Sequence, residues 1–520
     1  MLPKAKFPDI KIAILQSDSL DTETGLKGVD LMQNPLNYIS NAIETVVLTK
    51  KNAYHSIQDL KKKGIQLAIN LCDGMIDEDK VGVEAEDFLE TFRIASTGSS
   101  AKFWRLTKEN MKMAFVYNNI PTPYYFFAFD DDELDLALKN FKKFPAIVKH
   151  HNGYSSVGMA RSSKVTNAEE LKKEVRNCTF KVTYCCFKGQ RILQEYGGVM
   201  IEEFIEGKEF SMLLAENAHD PKHPIALQPI EVIFPPGESW KHFELKWIDY
   251  KNMKNEPVKD KALWKKIEKI CIESYIAIKA NSYARADLRM NDKGELFLLE
   301  LNAAPAIFYP QNAMGTSDEI LSLDPTWNHV KFLEFIVNES WYKFNNLPKK
   351  TVKTRRFIEN DPLNFTIVAL KDFKEGDLVV KNNLLPPIVT QEYVDKHFSE
   401  LEKDWFKHYG WGIGPNLWVT WFDEPEQWSP VNHSCDPNLW FGEDGDQNFY
   451  ARKPIKKGEP LSLDYCTFIS GLIPPFSCLC KSPNCRKTIT GDDYLLPIFE
   501  IYGNHVVPYL KILRKQKLSK

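Results

Sequence analysis

Three groups of residues stand out for the chemistry they could do. The segment "FPAIVKHHNGYSSVGMA" ends an apolar run on Lys149 and continues into a turn holding Gly153, Ser155, Ser156 and Gly158. Small residues let backbone N–H groups close on phosphate oxygens, and a lysine at a strand end neutralises them. The segment "YARADLRMNDKGELFLLELNAAP" sets Asp287 on one strand and Glu300 and Asn302 on the next, joined by "NDKG". Residues two apart on a strand share a face, so hard oxygen donors gather there, and these are the ligands Mg²⁺ takes. The third group is Cys435 with Cys478, Cys480 and Cys485, four thiols that form a tetrahedral Zn²⁺ set if the fold unites them. Each group has a bland reading beside it: a plain hairpin turn, solvated carboxylates, and free thiols.

These residues need elements to hold them. Up to about residue 100 the apolar runs "KIAIL", "TVVLT", "IQLAINLC" and "RIAST" alternate with the helical patterns "VDLMQNPLNYISNAI", "HSIQDLKKKG" and "VGVEAEDFLETF". Alternation on this scale predicts βαβ units around a parallel sheet. From about 140 to 310 the pattern is strand-rich, interrupted by the helix "DKALWKKIEKICIESYIAIKA" and closed by the helix "WNHVKFLEFIVNESWYKF". The basic stretch "NLPKKTVKTRR" reads as a solvated linker. Beyond it, "FTIVALKDFKEGDLVVKN" reads as strand, turn and strand, and the C-terminal "LKILRKQKLSK" as a frayed basic tail.

Composition bounds the function. The chain has 520 residues, too many for one core, and a net charge of −3, which gives no global basic field for nucleic acid. No leader-like or membrane-spanning apolar run is present, and the ten cysteines lack a disulfide-framework spacing. The expectation is an intracellular soluble protein, cytoplasmic or nuclear, with reduced thiols and no membrane partner.

In order and spacing, the segments from about residue 8 to 340 resemble the ATP-grasp ligases, and among them the D-alanine-D-alanine ligases. The passage "INLCDGMIDEDKVGVEAEDFLETFRIASTGSSAKFWRLTKENMK" is similar to the one that leads to that family's first ATP-contacting lysine, here Lys108. The resemblance implies that Lys108 and Lys149 contact ATP phosphates and that "GYSSVG", with Ser155, Ser156 and Gly158, is the phosphate loop. It places adenine against Glu202 and the backbone near Glu203 and Ile205, and the ribose hydroxyls on Glu209. Lys246 in "FELKW" and Arg285 would face the transferred phosphate, with Asp287, Glu300 and Asn302 on magnesium. The implied chemistry is phosphoryl transfer from ATP to a carboxylate, then attack by an amine on the acylphosphate. Two departures concern the substrates: Ala306 in "NAAPAIFYPQNA" stands where the family has a glycine and the following serine is missing, and "SDSLDTETG" has no clear match to the motif that reads the first D-alanine. An amino acid or peptide, as carboxylate and amine partners, is the expected substrate class.

From about 353 to 491 the chain resembles SET-domain protein methyltransferases with a post-SET segment. "NHSCDPN", "IKKGEPLSLDY" and "CLCKSPNCRK" carry the likeness, departing at Pro460 and Lys487. It implies that Asn432 and His433 contact S-adenosylmethionine, that Tyr465 is catalytic toward a protein lysine, and that the four cysteines hold zinc. The family opens on a G-x-G that lies against the methyl donor, and "DPLNFTIVALKDF" has no glycine there. The expected division is 1–100 and 101–345 for the α/β pre-ATP-grasp and ATP-grasp parts and 346–356 for the linker. Next come 357–477 for a β-rich SET domain, 478–491 for the zinc segment and 492–520 for the tail. The fold expected is thus α/β ATP-grasp, a parallel-sheet subdomain plus two α+β nucleotide-clamping subdomains, followed by SET. Ligation is the leading function; S-adenosylmethionine-dependent lysine methylation, or an interaction module with vestigial sites, are the alternatives.

Overall fold

The computed structural model describes residues 3–18, 32–74, 80–129, 131–151, 153, 156, 158–181, 198–249, 252–346, 351–356, 365–381, 388–420, 431–443, 448–471 and 473–519. The chain forms two compact units, Met1–Leu347 and Pro348–Lys520.

The first unit opens on a parallel sheet of β1 (Ile12–Ser17), β2 (Ala42–Leu48), β3 (Leu67–Asn70) and β4 (Ala95–Ser96), in the order β2-β1-β3-β4. All six residues of β1 are buried, as expected of a central parallel strand covered on both faces. Helices Ala53–Lys62 and Val83–Thr91 bury Ile57, Leu60, Ala85 and Leu89 on one of those faces. The helix expected across "VDLMQNPLNYISNAI" does not form in its described part. Pro35 opens a one-turn 3₁₀ segment, Pro35–Asn37, and Ala42 already belongs to β2. A proline has no N–H to continue a helix beyond its first turn.

The second sheet is antiparallel, built from β5 (Tyr125–Ala128), β6 (Ala146–His150), β7 (Lys164–Val165) and β8 (Val199–Glu203) in the order β5-β8-β6-β7. Helices Asp131–Asn140 and Ala168–Lys181 cover it through Ala137, Leu171 and Val175. The third sheet runs β12-β11-β9-β13-β14, with β10 (Ile225–Ala226) on β9. Its strands are β9 (Lys208–Ala215), β11 (Ile230–Ile233), β12 (Lys254–Pro257), β13 (Tyr283–Met290) and β14 (Leu296–Asn302). Helix Lys261–Ala277 starts where the Asp260 carboxylate accepts from the N–H groups of Ala262 (2.8 Å) and Leu263 (3.3 Å), a cap worth ~1 kcal/mol. It packs Ile267, Cys271 and Tyr275 on Phe210, Met212 and Leu288. Ile267→Ala would cost roughly 2–5 kcal/mol by leaving a cavity under β9 and β13. That packing fixes the strand pair on which the carboxylates sit.

The second unit is a set of small sheets. Strands β15 (Val352–Arg356) and β16 (Phe365–Ala369) pair antiparallel, and β17 (Leu378–Val380), β22 (Leu439–Phe441) and β23 (Phe449–Ala451) run β17-β23-β22. Strands β18 (Ile388–Val389), β19 (Trp411–Gly414) and β20 (Leu417–Val419) run β18-β20-β19. Strand β21 (Asn432–His433) lies parallel to β24 (Ser462–Leu463), and β25 (Phe476–Ser477) pairs with β26 (Thr488–Ile489). Ile367, Val379, Leu439, Ile455 and Leu463 form the shared core. The "KEGD" turn holds Gly376 at φ +84°, yet β16 and β17 do not form a hairpin, because β16 pairs β15 and β17 pairs β23. The second half of the basic linker is itself strand β15. The C-terminal tail is not frayed: Pro508–Leu518 is a helix whose Leu510 packs into Tyr494, Phe499 and Tyr502. Pro508 suits a first helical turn, where its missing N–H has no role.

Candidate functional site

Strands β13 and β14 place Asp287 opposite Glu300 and Arg285 opposite Asn302. Asp287 accepts from the Ser211 hydroxyl at 2.6 Å and from the Arg285 guanidinium at 2.9 and 3.0 Å. Burial alone would raise the Asp287 carboxyl; the Arg285 charge outweighs it and holds the group down at about 2. The Asn302 side-chain oxygen accepts from the Ala304 N–H at 2.9 Å, which orients it at the strand end.

Two lysines come from the first turns of helix Lys108–Tyr117, capped by Thr107. Lys108 pairs with Glu300. Burial first, and then the neighbouring Lys149 charge, pull its ammonium down to about 7. Lys112, one turn on, is 2% exposed and lies 2.5 Å from Glu202 on β8. The other Glu202 oxygen accepts from Lys149 on β6 at 2.8 Å. Burial opposes the Glu202 charge, and the two ammonium groups override it, leaving the carboxyl at about 2.

The Glu203 N–H donates to the Tyr124 carbonyl at 2.8 Å, and the Ile205 carbonyl accepts from Arg289 Nε at 2.6 Å. Glu209 is gripped by Arg289 at 2.8 Å and by Lys241 at 3.0 Å. Arg289 also donates to the carbonyls of Ser239 and Gly207, both at 3.0 Å, so one buried guanidinium on β13 holds segment 205–209 and Ser239 together.

In the "GYSSVG" segment, Ser156 (φ +58°) and Gly158 (φ +75°) adopt left-handed backbone, and the Ser156 hydroxyl donates to the Lys241 carbonyl at 2.8 Å. Ser155 lies outside the described residues. Lys246 sits in helix Phe243–Trp247 with its ammonium 5.5 Å from the Trp247 ring centroid. His150 is 9% exposed, with its ring against that of His151. Burial, then the neighbouring His151 and Lys108 charges, push its imidazole down to about 3.

At the Tyr283 end of β13, a cavity is lined by Asn70, Asp73, Ser99, Trp104, Tyr283 and Ala306. Tyr283, Arg285 and Asp287 alternate onto one strand face, so this cavity continues the row of charged groups.

In the second unit the ligand sulfurs of Cys435, Cys478, Cys480 and Cys485 all lie within 4.8 Å of one another. Cys435 and Cys478 are 3.9 Å apart, close to the ~3.8 Å that tetrahedral Zn–S bonds of about 2.3 Å require. Burial would raise the Cys480 thiol; backbone bonds at Cys435 and Ser482, joined by the Cys478 and Cys485 thiols, outweigh it and hold it down at about 6. Arg486 donates its backbone N–H to the Cys435 sulfur at 3.4 Å, while its guanidinium grips the fully buried Asp464 at 2.6 and 2.7 Å. The Tyr502 hydroxyl completes Asp464 at 2.9 Å. Next to Asp464, the Tyr465 N–H donates to His433 Nδ1 at 3.2 Å and the Tyr465 hydroxyl to the Val431 carbonyl at 3.2 Å. Asn432 and His433 form the short strand beside it. The Trp-rich stretch 421–430 lies outside the described residues, whereas Trp411 and Trp418 pack on Phe468 and Phe406 as half-buried rings.

Residues 122–309 match the family model of the D-ala D-ala ligase C-terminus, and residues 364–466 match that of the SET domain. The chain joins a D-alanine-D-alanine ligase-like ATP-grasp module to a SET domain. The D-alanine-D-alanine ligase of Clostridium beijerinckii is 26% identical over 304 residues, 57% of this chain and 89% of that protein. The Francisella philomiragia ligase is 25% identical over 307 residues, covering 57% and 89%. The solved D-alanine-D-alanine ligase of Bacillus anthracis complexed with ATP aligns at 20% identity with a TM-score of 0.45, over 65% of this chain and 99% of that one.

In the ATP-grasp module the sequence reading passed over Lys112, Arg289 and Lys241; in the SET module it passed over Asp464 and Arg486. Lys112 had one signal: it falls between Met111 and Phe115 on the buried face of its helix. A charge on an apolar face is almost never left unpaired. Arg289, two residues along the face from Asp287, had the same kind of signal.

Proposed function

We propose that the ATP-grasp module transfers the γ-phosphoryl group of ATP to a substrate carboxylate and lets an amine displace phosphate, forming a carbon–nitrogen bond. The observation that carries this reading is the Asp287–Glu300 strand register, which gathers two carboxylates and Asn302 within reach of Lys108 and Arg285. The donors are all oxygens and fit Mg²⁺, which when bound neutralises charge on the transferring phosphate. Lys108, Lys149 and the loop of Ser155, Ser156 and Gly158 would hold phosphates, Lys246 and Arg285 the reaction centre, and Glu202, Glu203, Ile205 and Glu209 the nucleoside. The cavity at Tyr283 and Ala306 would hold the amino-acid or peptide partners. Hydroxylamine traps an acylphosphate as a hydroxamate: formation with ATP and one carboxylate of a panel supports the reading, and no hydroxamate with any carboxylate overturns it.

A second reading concerns the SET domain, where the four thiols fit Zn²⁺ and would hold it as a structural ion in a reduced compartment, cytoplasm or nucleus. The Tyr465 hydroxyl, beside His433, would orient a protein lysine toward S-adenosylmethionine held by Asn432 and His433. Tyr465→Phe should then abolish methyl transfer with zinc retained; transfer at the wild-type rate would refute the role.

A further inference from the structure

Lys112 is a full-length ammonium with almost no contact with water. Among the described residues its polar partners lie on β8, on β14 and in the segment just before β5. Its Nζ meets Glu202 Oε1 at 2.5 Å, donates to the Thr122 hydroxyl at 2.6 Å and reaches the Leu298 carbonyl at 3.4 Å. Thr122 in turn donates to the same Leu298 carbonyl at 2.8 Å. One lysine thus ties the second sheet, through Glu202 on β8, to the third sheet, through Leu298 on β14. Four residues earlier, Lys108 pairs with Glu300 on the same strand β14. Side chains four apart share a helix face.

The chemistry at Glu202 follows from this. A carboxylate has about four lone-pair sites. Lys112 takes one oxygen and Lys149 the other, which fixes the plane of the group and keeps it acceptor-only. An acceptor fixed in this way takes a donor, and adenine offers an amino group at the position where guanine offers a carbonyl oxygen. A carbonyl oxygen facing a buried anion finds no hydrogen bond, and the mismatch is costly in a dry site.

We infer that Lys112 is a positioning residue for nucleotide recognition: by holding Glu202 it makes the module select ATP over GTP. The inference rests on the ligase reading, and it goes beyond it by naming a residue that touches neither nucleotide nor substrate. Lys112 has no part in phosphoryl transfer, so it should govern nucleotide affinity and choice while leaving the chemical step alone.

The test uses the full chain and equilibrium binding of ATP, GTP and a non-hydrolysable ATP analogue with Mg²⁺, alongside turnover. Lys112→Met should weaken ATP binding roughly 10- to 100-fold, the loss expected for one charge-assisted hydrogen bond. It should narrow the ATP-to-GTP ratio and raise the nucleotide KM with kcat little changed, and Lys112→Arg should restore part of the affinity. Because Lys112→Met leaves Glu202 under-compensated, the Lys112→Met/Glu202→Gln pair, which removes both charges, serves as the folding control and should show the same lost discrimination. Lys112→Met binding ATP with the wild-type affinity and ATP-to-GTP ratio would overturn the inference alone; the double variant doing so would overturn it together with the nucleoside role of Glu202. Failure of the wild-type chain to bind either nucleotide would overturn the ligase reading, and the inference with it.

Discussion

Lys108 and Glu300, 192 residues apart in sequence, are joined as an ion pair between the first turn of a helix and the end of strand β14. One is the lysine proposed for an ATP phosphate and the other a carboxylate proposed for magnesium. Mg·ATP would exchange this internal pair for two ligand contacts, so the cleft is pre-charged with no unpaired ion on either side.

That exchange has a proton signature. Burial and Lys149 hold Lys108 at about 7, well below an ordinary lysine. A bound phosphate favours the ammonium, so ATP binding near pH 8 should take up protons, and binding near pH 6, where Lys108 is already charged, should take up few. Calorimetry in two buffers of different ionisation enthalpy measures this. Lys108→Met should abolish the uptake; an equal uptake in that variant would place the proton elsewhere.

Glu202 gives a stability prediction of fixed sign. Its folded carboxyl lies at about 2, below the ~4.3 of an unfolded glutamate, because of Lys112 and Lys149. The group therefore contributes stability that is complete above ~4.3 and disappears as pH falls toward 2. Glu202→Gln should show a shallower fall of Tm across that window than wild type. Parallel curves would mean that the carboxyl is not held ionised.

Arg289 is the cleft's main internal tie. Removing its guanidinium leaves Glu209 with Lys241 among the described residues and takes one donor from each of three carbonyls. Arg289→Met should cost roughly 3–5 kcal/mol, the range for breaking a buried pair from one side. It would appear as a lower midpoint of the unfolding transition that ATP shifts. A change under ~1 kcal/mol would show that the tie is dispensable.

The thiol cluster should bind one zinc per chain, measurable by elemental analysis. Arg486 fastens the cluster to Asp464 beside Tyr465, so chelation or Cys480→Ser should lower the Tm of the second unit and loosen His433 and Tyr465 together. Metal-free protein with unchanged Tm would contradict a structural role.

The alternating runs of the first hundred residues and the carboxylate hairpin were legible because they rest on period and register, which sequence displays directly. The line "VDLMQNPLNYISNAI" misled because its apolar spacing outweighed Pro35. The linker and tail misled because basic residues at 353, 355 and 356 hide a strand, and Leu510 buries a helix that otherwise looks polar. Assigning Glu202 to adenine from motif order left out its two lysines, since Lys112 and Lys149 meet only when helix and sheet pack. The same holds for Arg486 and Asp464, which are 22 residues apart and are brought together by the thiol loop. Spacing identifies which residues carry chemistry, whereas tertiary packing decides what each one is held by.

The most direct measurement is phosphate release from Mg·ATP by the full chain across a panel of amino acids and short peptides, with Glu300→Gln run in parallel. The account predicts stimulation by one carboxylate–amine pair, a ligated product of matching stoichiometry, and loss of at least ~100-fold in the variant, as removal of a metal-binding charge from a phosphoryl-transfer site should produce. Release that no pair stimulates, or that Glu300→Gln leaves intact, would contradict the ligase account.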